Sequence, residues 1–205
     1  MPATNLPIFP LSIFLLPEGV TRLRIFEARY LKMVSLAMKS NGFVILPAIS
    51  NTGGESNDAE KSNENDRAIV TGSWVEIINF DQGEDGLLLI DVRCKCLVDI
   101  TDMTQDKDKL HHGDVTIKAH WPNANVDETT DEFALSLEKL FAENVELSSL
   151  YPNKCLEQGS WVVARWLELL PVNLDEKLLF TEQGSFNEAK QFLESIISPE
   201  NGMQR

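Results

Sequence analysis

Cys94, Cys96, His111, His112 and His120 supply the sulfur and imidazole nitrogen that a zinc ion takes as ligands. Zinc needs four such groups converging as a tetrahedron, and the sequence has neither a C-x-x-C pair nor an H-E-x-x-H helix. The histidines around Gly113 read instead as surface residues in a loop, and no metal is expected. Cys155 offers a nucleophile, yet nothing pairs it with a particular histidine, and no G-x-S-x-G elbow exposes a serine. A G-x-x-x-x-G-K-[ST] loop, which would wrap nucleotide phosphates in backbone amides, is also missing. The acidic side chains are scattered at helix starts and on polar faces, where solvation and the helix dipole account for them. No catalytic residue and no cofactor is expected.

Recognition chemistry remains. Phe26, Arg29 and Tyr30, with Arg24 and Glu27 beside them, combine aromatic area with an arginine rim, as binding surfaces do. Trp74 is the fourth candidate for such a surface. The same residues also admit a packing role. Glu27 would start a helix and pair with an arginine, Phe26 and Tyr30 would anchor that helix on a sheet, and Trp74 serves equally as core or platform.

These side chains need elements to hold them. Leu6 to Pro17 is an apolar run in which Pro7, Pro10 and Pro17 exclude helix. Pro7 and Pro10 have opposite parity, so the segment is expected at a sheet edge or broken by a bulge. Val20 to Ile25 alternates as a half-buried strand. A helix follows to about Lys39, with Leu31, Val34 and Met38 on one apolar line and Tyr30, Met33 and Ala37 on the next. Asn41-Gly42 stops it. Phe43 to Ile49 is a short strand, and Ser50 to Asp66, with Ala59 as its sole apolar side chain, reads as a mobile loop. Ala68 to Phe80 and Leu87 to about Ile100 form a hairpin, and a last strand through Val115, Ile117 and Ala119 ends at Trp121-Pro122.

After Pro122 the period changes from strand to helix. Thr129-Thr130-Asp131-Glu132 has the form of a capping box before Phe133, Leu137, Leu140 and Phe141. Ser160 opens a second helix that Leu170-Pro171 stops, and Asn173 and Ser185 open two more. The fold expected is α+β, with a β-rich part over residues 1–122 and a small helical subdomain over 123–205 packed on it.

The net charge is -14 over 205 residues, distributed as +3 over residues 1–49 and -9 over residues 123–205. A field of that sign disfavours nucleic acid and anionic membranes, and leaves a basic patch only to the N-terminal region. The first apolar run is too short to span a bilayer and lacks a charged n-region. Three cysteines at spacings unlike a disulfide framework read as reduced thiols, and the expected compartment is the cytoplasm.

The opening residues carry a resemblance. Leu6-Pro7-Ile8-Phe9-Pro10-Leu11, Phe14-Leu15-Leu16-Pro17 and Leu23-Arg24-Ile25-Phe26-Glu27-Ala28-Arg29-Tyr30 closely resemble the start of the N-terminal, substrate-binding domain of the ATP-dependent Lon protease. Thr71 to Ile77, Asp85 to Ile90, Trp121-Pro122 and Leu169-Leu170-Pro171-Val172 resemble later landmarks of that family. In one departure, Leu97-Val98-Asp99-Ile100 stands where the family commonly has Arg-Phe-x-Ile. The resemblance implies a PUA-like pseudobarrel with a helical appendage, acting in recognition of polypeptide segments or a protein partner. It also implies a free-standing protein without the protease's ATPase and Ser-Lys peptidase modules, and so not an enzyme. The alternative that the PUA-like fold brings is an RNA-binding domain, against which the charge argues.

Overall fold

The structure is a computed structural model, and it describes residues 4–47 and 70–197. The loop expected at Ser50 to Asp66 lies outside the described residues.

The chain runs β1 (Thr4–Leu11), β2 (Val20–Ile25), α1 (Ala28–Ser40), β3 (Phe43–Pro47), β4 (Val70–Gln82), β5 (Leu88–Gln105) and β6 (His111–Lys118). Five α-helices follow among the described residues: α2 (Glu128–Glu143), α3 (Val145–Leu150), α4 (Gly159–Leu169), α5 (Leu174–Leu178) and α6 (Phe186–Ile197). The strand order is β2-β5-β4-β3-β1-β6, and a further β5–β6 pairing closes five of the strands into a barrel with β2 appended to β5. This is the α+β architecture expected.

The length of β5 makes the closure possible. Its first half, Leu88 to Arg93, pairs with β2, and its second half, Leu97 to Gln105, pairs with β6, while β4 runs along both. The register slips between Trp74 and Val75, where Lys95 is the extra residue, and again at Thr101 to Thr104, where Asp102 takes a positive φ of 50°. Such bulges bend a strand so that it can serve two neighbours. The last strand is shorter than expected: it ends at Lys118 rather than Trp121, and Ile117 is exposed.

The expectation for β1 is corrected. It is neither an edge strand nor bulged, but lies between β3 and β6. Thr4 to Ile8 pairs antiparallel with β6, and Ile8 to Leu11 pairs parallel with β3. Each half thus has one neighbour, and a proline in it needs only to turn its missing donor to the open side.

Inside the barrel, Leu6, Ile8, Val44, Val98, Ile100 and Val115 form one core. A second core is closed over by α1, which contributes Tyr30, Met33, Val34 and Ala37 against Phe9, Ile25, Ile90 and Cys94. Leu31 and Met38, expected on a buried line of α1, are exposed instead, because the buried stripe is centred on Met33 and Ala37. The helix stops as the sequence suggests: Asn41 caps it in the left-handed region, and Gly42 follows at a φ of 119°. A Cβ on Gly42 would lie 2.1 Å from the Val75 carbonyl oxygen, so glycine is required there for space as well as conformation.

The helices α2 to α6 pack a third core, which takes in Phe14, Leu16, Val20 and Leu97 from the barrel side. Leu97, at the position where the sequence departs from the resembled family, is one of these contacts. The cap of α2 is Asp127 with Thr130, two residues before the expected Thr129–Glu132 box.

Candidate functional site

A groove of about 430 Å³ opens where the ends of β1 and β2 meet the starts of α1 and β6. Phe9, Pro10 and Leu11 at the end of β1 form one wall, and Arg24, Phe26 and Glu27, leaving β2, form the other. The first turn of α1, with Arg29 and Tyr30, and His111 at the start of β6 complete it.

Alternation explains the rim. Ile25, the last residue of β2, points into the core, so Phe26 turns outward and is 69% exposed. Tyr30 forms the floor. It is buried, with its ring centroid 4.0 Å from that of Phe9, and burial pushes its phenol above the usual tyrosine range. Arg29 lies over the Tyr30 ring at 4.6 Å, donates from Nε to Glu27 at 2.8 Å, and reaches the Lys109 carbonyl at 3.4 Å. Glu27 is the N-cap residue of α1, but its side chain serves Arg29 rather than the helix amides. Arg24 is paired with Asp85 of the β4–β5 hairpin. Both groove arginines therefore have a carboxylate partner within the chain, and the groove combines aromatic and proline surface with a rim of compensated charge.

Of the four residues singled out from the sequence, Phe26, Arg29 and Tyr30 come together here. Trp74 is not among the residues lining the groove. It sits half-buried on β4, donates from Nε1 to the Asn41 carbonyl at 3.1 Å, and carries the Lys95 ammonium 4.9 Å above its ring. It fastens the end of α1 to the barrel. Sequence reading missed Phe9 to Leu11 and His111 as lining residues. The strand pairing that brings His111 opposite Ile8 joins positions far apart in the chain, and no local pattern signals it.

Among the described residues, no group of three or more His, Cys, Asp and Glu side chains is placed to hold a metal ion. Cys94, Cys96 and Cys155 are unpaired; Cys94 is buried, and burial pushes its thiol well above the usual range. No described helix is long and apolar enough to cross a membrane.

Residues 5–187 match the family model of the ATP-dependent protease La (LON) substrate-binding domain. The chain belongs to that family. Its fold is similar to that of a Lon N-terminal domain protein from Xanthomonas campestris, with a TM-score of 0.66 and 23% identity over 94% of this chain and 98% of that one. It is also similar to the N-terminal domain of a Lon protease from the Mycobacterium avium complex, with a TM-score of 0.56 and 12% identity over 96% of this chain and 100% of that one. No curated protein matches the chain. The Lon substrate-binding match includes both walls of the groove and helix α4, so it spans the barrel and most of the helical part.

Proposed function

We propose that this Lon substrate-binding family member is a non-catalytic recognition module that takes extended, aromatic or apolar polypeptide segments, unfolded or on a protein partner, into the groove between the ends of β1 and β2. The observation that carries the reading is Phe26. An aromatic residue left 69% exposed beside a floor in which the Tyr30 and Phe9 rings meet at a tilt offers contact area that the fold itself does not use. Residues 1–122 and 123–205 act as its two parts, the first carrying the groove. The cytoplasm suits the three unpaired cysteines.

Fluorescein-labelled β-casein, a polypeptide without a packed fold, is a direct probe. Phe26→Ala should weaken its binding by about fivefold or more while changing stability by no more than about 0.5 kcal/mol. Tyr30→Ala should instead destabilise by about 3 kcal/mol, as for a core aromatic. Unchanged casein affinity in Phe26→Ala would move the site away from this groove. Binding of RNA in place of casein, weakening steeply with salt, would favour the RNA-binding alternative.

A further inference from the structure

Both groove walls are attached to one connection. Phe9 to Leu11 lead into residues 12–19, and Arg24 to Glu27 lie one strand beyond them. That connection is gripped from the helical side by two charged residues of α4. Glu168 accepts the Leu16 amide at 2.6 Å and the Arg165 guanidinium at 2.8 Å. The same Arg165 nitrogen, Nη2, also donates to the Pro17 carbonyl at 3.0 Å and lies 3.3 Å from the Leu16 carbonyl, so one of its two N–H groups is shared between acceptors. The two side chains are only 1% and 7% exposed. A Cβ on Gly19 would lie 2.2 Å from Glu168 Oε1, so the carboxylate is seated in the space that a side chain on Gly19 would occupy.

A buried ion pair is a poor choice if cohesion alone is needed. Apolar residues of similar volume usually hold two surfaces together as well or better, because they carry no charge desolvation cost. Among the described residues, Arg165 Nε and Nη1 have no hydrogen-bond partner, which adds to that cost. What the pair supplies and an apolar contact does not is direction. One backbone amide and two carbonyls of the connection are fixed by named atoms.

We propose that Arg165 and Glu168 are positioning residues that set the spacing of the groove walls, so that the helical part tunes recognition by the barrel. This rests on the groove being the binding site. The clamp touches neither Phe26 nor Arg29, and acts through the β1–β2 connection.

Three full-length variants test it: Glu168→Gln, Gly19→Ala, and the double change Arg165→Met with Glu168→Gln. Amide proton–nitrogen correlation spectra read the groove at Phe9, Leu11, Phe26 and Arg29 without any ligand, and casein anisotropy reads affinity. The expected result is displaced groove amides in all three, with casein affinity lowered by about fivefold. The double variant should recover much of the thermal stability that Glu168→Gln loses, since the Arg165 guanidinium is no longer buried without its carboxylate, while its groove stays displaced. A purely structural role would instead restore both together, and that outcome overturns the proposal. So do groove amides that match wild type while those of residues 14–20 move. If wild type itself does not bind casein, the groove reading fails, and the amide shifts alone decide the clamp. If Glu168→Gln does not fold, the other two variants decide it.

Discussion

The phenol of Tyr151 pairs with both backbone groups of Val20. It accepts the Val20 amide at 2.9 Å and donates to the Val20 carbonyl at 3.2 Å, as a neighbouring strand would. Val20 is the first residue of β2, so a side chain from the helical part terminates the sheet there. Tyr151→Phe keeps the ring against Phe141 and Trp161 but leaves two buried backbone groups without a partner. We expect a loss of about 2 kcal/mol, within the range for orphaned buried groups. Urea unfolding should show a lower midpoint with an unchanged slope. A neutral effect would mean that the pairing with Val20 contributes nothing to stability.

The same phenol gives a pH signature. Burial pushes Tyr151 up to about 12 from an ordinary value of 10.0, and burial also raises Tyr30. These are the chain's two tyrosines. Near-ultraviolet absorbance at pH 10 should therefore show less tyrosinate in the folded protein than the roughly half ionisation expected in urea. The linkage follows from the sign of the shift. A raised folded value means that the stability contributed by Tyr151 is intact below pH 10 and is lost as pH rises towards about 12. Equal ionisation at pH 10 in the folded and unfolded protein would contradict the burial of both rings.

Much of this was legible in local pattern. The alternation of Val20 to Ile25, the Asn41-Gly42 stop, the β4–β5 hairpin and the change of period after Pro122 each follow from a few adjacent residues. The split pairing of β1 and the β5–β6 closure were not legible, because they join distant positions whose local periods would be the same in another topology. The groove was half legible for the same reason. Phe26, Arg29 and Tyr30 are neighbours in sequence, whereas Phe9 and His111 reach them only through register. Arg165 and Glu168 did leave a signal: charged residues three apart inside the apolar run from Trp161 to Leu170. Read as a helix buried nearly all round, that run requires its charges to be paired within it or with a neighbouring backbone.

The start of α2 can be tested in the same terms. Asp127 accepts the Thr130 amide at 2.9 Å while the Thr130 hydroxyl accepts the Asp127 amide at 2.7 Å, so two otherwise free helix-end donors are satisfied reciprocally. Asp127 also pairs with Lys190, which ties α2 to α6. Asp127→Ala should cost about 1 kcal/mol, the usual value of a cap. Asp127→Asn keeps an oxygen for the cap and loses the ion pair; since Asp127 is 51% exposed, the further change should be within about 0.5 kcal/mol. The pairing with Lys190 and the Thr130 amide lower the Asp127 carboxyl from 3.8 to about 2. A lowered folded value contributes stability that is complete above the ordinary value and is lost as pH falls through about 2. Thermal unfolding of wild type and Asp127→Ala should therefore differ most above pH 4 and by less in strong acid, where the neutral carboxyl still accepts the Thr130 amide. A gap that stayed constant over that range would show that the cap works without its charge.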